Sequence, residues 1–463
     1  MDIALEGGAA KGHRWSKLDQ EQGVILVPSK TGMISAPQAV LEHKWTKIWK
    51  ATPCKIESHQ NPWPNQKPLP RLTVETLRKV SQKFKKATTS VDGWHPRQLG
   101  FLSSWALQSF AVLCEIAEKF GIWPADQASL VVRLIDKTTG GYQRPILHYR
   151  TLFRVWAKSR QKVAKQWQRD HLPDSCINNN VGKSCGDGIW RQKVKMVLQR
   201  FQDQSVYEAQ WDISKAFDIV PHEKLIDQAT QLGYPLVLLR LSLLSYKFQR
   251  MFVTNGSSAS DPVFPQRGIG PGSSFATLEL AVLLIESLML IQQQTPSCTL
   301  SVHVDDFALQ ASGANEPEAR HNMVTLFAQV RFHIVEELKL PFSSDKAVLL
   351  GTCAEGCRLL AEQLGENHGQ ILETTRSLGY DYALNKDNNR KVLKGRVWIA
   401  KERIKKVCRL RTKLKSPVRV FMAGIVPTAT FGMEMVSPNQ TGLGWGRSHR
   451  RSITSILQGS AQL

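Results

Sequence analysis

Two short stretches decide the fold of this chain. The first is Ala-Gln-Trp-Asp-Ile-Ser-Lys-Ala-Phe-Asp-Ile-Val-Pro-His, from Ala209 to His222, and the second is Ser-Val-His-Val-Asp-Asp-Phe-Ala-Leu, from Ser301 to Leu309. Each places aspartate at or just past the end of a short apolar segment, which is typical of a buried strand that surfaces among polar residues. Asp212 follows the first segment, and Asp305 and Asp306 follow the second. The pattern predicts carboxylates held in a cleft by packed strands.

Acids placed in this way have the chemistry of a metal site. Two Mg²⁺ ions about 3.5–4 Å apart can stabilise the attacking and leaving oxygens of a phosphoryl displacement, and hard carboxylates hold such ions. We predict that Asp212 and Asp305 bind two Mg²⁺ ions with Asp306 in support, and that Mn²⁺ can replace Mg²⁺. These three acids are the predicted catalytic core.

The same residues resemble the palm motifs of reverse transcriptases (RNA-dependent DNA polymerases), most of all those of non-LTR (LINE-type) retrotransposons. The first motif of that family runs Asp, then Ala-Phe-Asp, then Val and His, and the stretch from Asp212 to His222 reproduces it in order. The second is usually an aromatic residue, any residue and two aspartates; here His303 replaces the aromatic residue and both acids are kept. The resemblance implies an α+β right-hand polymerase with fingers, a palm of antiparallel strands backed by helices, and a helical thumb.

The resemblance also gives Phe217 a role, five positions after Asp212. In this family the aromatic residue there resembles a steric gate beneath the sugar of the incoming nucleotide. A ring against C2′ leaves no room for the 2′-OH, the group that distinguishes ribonucleotides from deoxyribonucleotides. The implied product is DNA. The alternative is that Phe217 belongs only to the core.

Further substrate contacts are implied by the family in the same way. Lys137 and Arg144 flank a hairpin ending in Arg-Pro-Ile, whose cations cover the triphosphate in the family, or they are an ordinary charged hairpin tip. Gly268 and Ser273 correspond to a glycine loop near the nascent base pair, or they form a generic loop before a helix. Lys346 matches a lysine proposed to protonate the leaving pyrophosphate, although lysine is common at the start of a strand.

The composition favours a polyanionic partner. The 463 residues are 42% hydrophobic, enough for a large core and for two or three domains. Lys and Arg number 61 against 39 Asp and Glu, and the net charge of +22 favours nucleic acid over an anionic membrane. A strongly basic helical segment from Lys386 to Lys415 suits a thumb that grips duplex phosphates. The expected partners are an RNA template, a primer–template duplex, dNTPs and other domains of a longer retroelement polyprotein.

Cysteine usage and apolar patterning bear on the compartment. Of eight cysteines only Cys353 and Cys357 are close in sequence, too few for a four-ligand zinc site. The apolar stretch from Leu278 to Ile291 is broken by two glutamates and is too short to span a bilayer. We expect reduced thiols, no membrane partner and an intracellular protein of the nucleus or of a ribonucleoprotein particle.

The expected domain organisation follows the motifs. Residues 1–70 form a partly irregular leader, 71–205 the fingers with 251–275 joining palm and fingers, 206–385 the palm and 386–463 the thumb. In the leader, Trp45 and Trp49 lie four apart on one face of a short helix. They either anchor the leader to the fingers or are hydrophobic remnants of a truncated neighbouring domain.

Three functions are open on sequence alone. The first is DNA synthesis on an RNA (or DNA) template in retrotransposition. The second is a catalytically silent, reverse-transcriptase-like scaffold that binds RNA, which His303 and the altered glycine loop allow. The third is an RNA-synthesising palm enzyme, which Phe217 disfavours.

Overall fold

The computed structural model describes most of the chain between residues 26 and 435. The described residues are 26–29, 32–35, 44–50, 67–86, 88, 91–136, 143–253, 262–365, 369–384, 391–409 and 417–435. Helices and strands are mixed along the chain, and the predicted α+β class is confirmed.

The strands, in chain order, are β1 Leu26–Ser29, β2 Gly32–Ser35, β3 Ser129–Asp136, β4 Gln143–His148, β5 Ser205–Asp212, β6 Gln249–Phe252, β7 Thr299–His303, β8 Asp306–Gly313, β9 Val348–Gly351, β10 Gln370–Ile371, β11 Thr374–Ser377 and β12 Tyr380–Ala383. The central sheet has the order β10-β9-β5-β8-β7, and a second sheet has the order β4-β3-β6. All neighbours in the central sheet are antiparallel except the two-residue β10, which pairs parallel with β9. The predicted antiparallel palm therefore gains one short parallel edge strand.

The α-helices are α1 at residues 44–49, α2 Val74–Gln82, α3 Pro96–Leu99, α4 Ser104–Phe120, α5 Thr151–His171, α6 Cys185–Phe201, α7 Ala216–Ile219, α8 His222–Gln231, α9 Leu236–Tyr246, α10 Ala276–Gln294, α11 Glu316–Val330, α12 Ala354–Leu364, α13 Lys391–Arg409, α14 Pro417–Val420 and α15 Val426–Thr430. Single 3₁₀ turns lie at Ala125–Gln127, Ser344–Lys346 and Met433–Met435, and π-helical turns at Arg331–Glu337 and Phe421–Ile425.

The central sheet is buried because helices cover it. β5 and β8 are buried along most of their length, and α11 packs on both strands. Apolar residues at helical spacing predict one helix from Asn315 to Leu340. The α-helix ends at Val330, where the π-helical turn begins, and Lys339 at φ +58° takes a left-handed conformation that stops any continuation.

α10 lies in the main hydrophobic core. The prediction that the stretch from Leu278 to Ile291 is too short to span a bilayer is wrong, because the helix extends beyond the apolar run and is long and apolar enough by length and composition. Most of it, however, is buried inside the protein. Glu279 in its first turn is fully buried and accepts hydrogen bonds from the hydroxyls of Ser242 and Tyr246. Burial of nearly every face makes α10 a core helix, and satisfied polar partners make its glutamate tolerable there.

Candidate active site

The predicted acids meet at one edge of the central sheet. β5 pairs with β8 so that Asp212 lies directly opposite Asp306. The backbone N–H of Ile213 donates to the carbonyl oxygen of Asp305 at 3.0 Å. Residues facing each other across an antiparallel pair have Cβ atoms about 4.5–5.5 Å apart. The sheet register thus brings the acids of the two quoted stretches together.

A tight turn presents Asp305. β7 ends at His303 and β8 begins at Asp306, so Val304 and Asp305 form a two-residue hairpin loop. Val304 has φ +64°, which is unfavourable for a β-branched residue and costs on the order of 1–3 kcal/mol. Such strain persists where surrounding structure imposes it, and here the turn places Asp305 between His303 and Asp306, two residues that line the cleft.

Asp212 is held from the opposite side by the segment that precedes β9. The backbone N–H of Ser343 donates to the carbonyl oxygen of Asp212 at 2.8 Å. The Lys346 ammonium forms an ion pair with the Asp212 carboxylate; the lysine side chain is half exposed and that of Asp212 is mostly buried. The structure therefore places Lys346 in direct contact with a predicted metal ligand.

The charges around Asp306 oppose its ionisation. The residue lies at the open surface of the cleft, yet loss of water around the carboxyl, followed by the neighbouring Asp305 carboxylate, raises its pKa to about 6. The Arg144 guanidinium acts in the opposite direction and lowers that pKa. Arg144 is thus close enough to influence the acids electrostatically from the β3–β4 hairpin.

The cleft beside the acids contains polar residues that no sequence pattern indicated, among them Asn178, Gln192 and Arg376. It encloses about 200 Å³, and its lining includes Asn178, Gln192, Ser301, His303 and Arg376 together with Asp212, Asp306 and Lys346. Asn178 donates to Ser301 through its side chain and to Val302 through its backbone N–H, at 2.9 Å in the second case. The loop around Asn178 therefore supports β7 through hydrogen bonds between residues distant in sequence. Helix or strand periodicity does not reveal such contacts.

The donor set fits a divalent cation in chemistry and in backbone register. Carboxylate oxygens are the ligands that Mg²⁺ takes, and a cation would relieve the repulsion between Asp305 and Asp306. Within the described residues no three acidic, histidine or cysteine side chains form a ready-made cluster. The Asp212 carboxylate is paired with Lys346, so a cation at Asp212 competes with that ammonium.

The other predicted site residues have mixed positions. Phe217 lies in α7, where it is half-buried and packs against the main hydrophobic core. Ser273 accepts a hydrogen bond from the Tyr246 hydroxyl at 3.1 Å. Gly268 is buried at φ +88° and its close neighbour is the Asp218 backbone. Lys137 lies outside the described residues.

The family comparison agrees with this geometry. Residues 135–360 match the model of the family described as reverse transcriptase (RNA-dependent DNA polymerase). These residues form a reverse transcriptase domain. The match includes both quoted stretches and Lys346, and the mixed α+β fold agrees with the predicted right-hand polymerase.

Solved structures of telomerases are also similar to the chain. Apo telomerase from Candida tropicalis truncated from the C-terminal domain is 11% identical, with a TM-score of 0.40, and the match covers 64% of this chain and 62% of that one. Telomerase from Candida albicans in complex with a TWJ fragment of telomeric RNA is 12% identical, with a TM-score of 0.40 and coverage of 78% and 67%. This chain spans about three fifths of the length of the first of these. A search of curated protein sequences found no match.

Proposed function

We propose that the protein copies an RNA (or DNA) template into DNA by two-metal phosphoryl transfer, and that it serves retrotransposition of the non-LTR type. The observation that carries the proposal is the register that sets Asp212 opposite Asp306, with Asp305 in the adjoining turn. This is the arrangement that shared metal ligands from two distant stretches require.

The roles of the side chains follow from their chemistry. Bound Mg²⁺ or Mn²⁺ would supply electrostatic stabilisation to the attacking and leaving oxygens. Asp212, Asp305 and Asp306 would hold the ions. Arg144 and Lys137 neutralise the triphosphate, because fixed cations stabilise the charge that builds there. Lys346 holds the proton that the leaving pyrophosphate needs.

The nucleic acid occupies the basic side of the molecule. α13 carries many lysines and arginines, and phosphate contacts of this kind carry no sequence information. We propose the domain limits given above, with fingers at 71–205, palm at 206–385 and thumb at 386–463. Phe217 selects dNTPs, and the nucleus or a ribonucleoprotein particle is the proposed place of action.

A second candidate is a catalytically silent scaffold that binds RNA. The observation in its favour is the pairing of Asp212 with Lys346, together with His303 in the position of the aromatic residue. A scaffold has no need of a free metal-binding carboxylate.

Primer extension separates the candidates. The protein is incubated with an RNA template, an annealed DNA primer and Mg²⁺, with four dNTPs in one reaction and four rNTPs in another. DNA product supports the proposal, RNA product supports the RNA-synthesising alternative, and binding without extension supports the scaffold.

Asp305→Ala is expected to abolish extension and to leave template binding unchanged. The matched control is Asp345→Ala, which removes an exposed acid close to Lys346 and should retain extension. Retained synthesis by Asp305→Ala would remove Asp305 from the site.

A further inference from the structure

The leader helix α1 is inserted into the body of the protein at the stretch that carries Phe217. Trp49 is fully buried, and its indole N–H donates to an Asp218 carboxylate oxygen at 2.7 Å. Asp218 itself is almost wholly buried. A hydrogen bond to a buried acidic group is among the stronger kinds and is costly to lose, because the acceptor is left without water or a partner.

The face of the same indole contacts a buried cation. The Arg250 guanidinium lies 4.2 Å from the centre of the Trp49 ring, and Arg250 is 1% exposed. Cation–π contacts are strongest when they are removed from water. Arg250 belongs to β6, which pairs with β3 of the hairpin that carries Arg144. One side chain of the leader thus contacts the fingers sheet through its ring and the palm stretch through its N–H.

The backbone of α1 holds the glycine loop as well. The Gln266 N–H donates to the Trp49 carbonyl oxygen at 2.9 Å, and the Arg267 guanidinium donates to the Ile48 carbonyl oxygen at 3.1 Å. The Gly268 N–H donates to the Val220 carbonyl oxygen at 2.9 Å. Three segments distant in sequence therefore meet around the indole of Trp49.

We call this meeting point the leader junction and define it by Trp49, Asp218, Arg250, Gln266 and Gly268. A Cβ atom on Gly268 would lie 2.5 Å from the Asp218 carbonyl oxygen, so only glycine lets the loop approach so closely. His222 reinforces the contact, since its Nε2 lies 2.7 Å from the Gly268 carbonyl oxygen.

Phe217 is directly linked to the leader junction. It immediately precedes Asp218, and its carbonyl oxygen accepts a hydrogen bond from the Ile269 N–H at 2.6 Å. The backbone that follows the ring is therefore held by the glycine loop and by Asp218, and Trp49 forms hydrogen bonds to both. A shift of the junction would move the ring, since packed interiors transmit strain.

We infer that Trp49 is a positioning residue for sugar discrimination: it holds the Asp218 turn and the glycine loop together and so sets the position of the Phe217 ring. The inference rests on the proposed function, because it assigns Phe217 the task of excluding the 2′-OH. It adds a determinant from the leader, outside the matched domain.

Trp49→Phe is the decisive variant, because phenylalanine keeps a ring over Arg250 and cannot donate to Asp218. We expect the ratio of kcat/KM for a dNTP to kcat/KM for the matching rNTP to fall about tenfold or more, in line with loss of a hydrogen bond to a charged group. Trp167→Phe is the matched control. Trp167 is also buried and donates its indole N–H to the Leu232 carbonyl oxygen at 3.2 Å. It should keep the wild-type ratio even if it lowers stability similarly.

Asp218→Asn and Asp218→Leu test the acceptor. Asparagine keeps an oxygen for the indole N–H and should retain most of the discrimination, whereas leucine should reproduce the loss seen with Trp49→Phe. An unchanged ratio in Trp49→Phe with active wild-type protein overturns the inference and leaves the proposed function intact.

A readout that needs no activity completes the test. Hydrogen exchange of the Gly268 and Ile269 amides should become faster in Trp49→Phe and stay unchanged in Trp167→Phe. If the wild-type protein fails to extend any primer, the proposed function fails on that result alone. Unchanged exchange at Gly268 and Ile269 in Trp49→Phe would overturn the inference in either case.

Discussion

Asp212 and Asp218 belong to one stretch of the chain and have opposite surroundings. Asp212 ends a strand at a cleft, faces Asp306 across the sheet and pairs with a half-exposed lysine. Asp218, at the leader junction, is closed off from water and accepts the Trp49 indole N–H. Two acids of the same motif thus have different partners: the first is paired with a lysine at the edge of a cleft, and the second accepts a hydrogen bond from a buried indole.

The pKa values of Asp218 and Asp306 reflect this difference in surroundings. Burial raises the pKa of Asp218 to about 6, against lowering by the Trp49 hydrogen bond and by the charges of Arg250 and Lys215. In the cleft, the raised pKa of Asp306 owes part of its shift to a second carboxylate, Asp305. Like charges gathered at a surface are a feature of cation sites, whereas a lone acid in the core is retained by its hydrogen bonds.

The largest expected effect separates the two aspartates in activity. Asp212→Asn should lower primer extension by roughly a thousandfold, because loss of a metal ligand removes several kcal/mol of transition-state stabilisation. Asp218→Asn, which keeps the acceptor oxygen, should retain extension within about tenfold. The measurement is single-turnover extension at saturating Mg²⁺. Equal losses in both variants would contradict the division of roles.

The next effect concerns stability at the leader junction. Trp49→Ala should lower the free energy of unfolding by about 3–5 kcal/mol, the usual cost of emptying a buried aromatic site. Trp105→Ala is the control, since Trp105 is 80% exposed and should change stability by no more than about 0.5 kcal/mol. Denaturant titration measures both. A small effect of Trp49→Ala would show that α1 is not part of the folded core.

Two glycines with positive φ, Gly268 and Gly233, differ in how closely other atoms approach them. Gly268→Ala should lower the free energy of unfolding by up to about 3 kcal/mol, because the new Cβ meets the Asp218 carbonyl oxygen and φ is +88°. Gly233 also has positive φ, at +63°, but nothing lies within 4 Å of a Cβ built there. Gly233→Ala should therefore lower the free energy of unfolding by less. Thermal unfolding of both variants measures the difference. Equal costs would mean that backbone conformation alone, and no close approach, explains Gly268.

The smallest effect is a pH dependence from the buried polar core. Burial raises the pKa of Glu279 from 4.5 to about 7, against lowering by the hydroxyls of Ser242 and Tyr246. The folded state therefore favours the protonated acid, so its contribution to stability is present below pH 4.5 and is lost as the pH rises through 7. As the pH rises from 5 to 8, the free energy of unfolding of Glu279→Gln should increase by about 2 kcal/mol relative to that of the wild type.

The control for this pH profile is Glu286→Gln on the same helix, where the side chain is exposed to water. The difference between this variant and the wild type should be the same at pH 5 and pH 8. A flat profile for Glu279→Gln would mean that Glu279 titrates normally in the folded protein.

The sequence predicted the parts of the fold that local pattern controls. Apolar runs predict the strand ends at Asp212 and Asp306, and Gly233 is a usual helix-ending glycine, which has positive φ after α8. The stretch from Leu378 to Tyr382 resembles the Leu-Gly primer-grip hairpin of reverse transcriptases, and a hairpin joins β11 and β12 there. In each case the signal lies within a few residues of the feature that it predicts.

The parts that escaped prediction depend on distant partners. Trp49 finds its acceptor in another region of the chain, so its pattern could not decide between an anchor and a remnant. Asn178 reaches the cleft through a loop with no periodicity. Glu208 is buried within β5 and accepts a hydrogen bond from the Tyr382 hydroxyl, although glutamate in a strand usually predicts a solvent-facing position. The Asn255–Gly256 pair predicts a hairpin turn, and it lies outside the described residues.

Localised hydroxyl-radical cleavage shows whether Asp212, Asp305 and Asp306 share a divalent-ion site. Fe²⁺ replaces Mg²⁺, peroxide and ascorbate are added, and the cut positions are mapped along the chain. The account predicts cuts clustered around residues 211–214 and 303–307, suppressed by excess Mg²⁺ and by Asp212→Asn. Cuts elsewhere, or a pattern unchanged by that substitution, would contradict it.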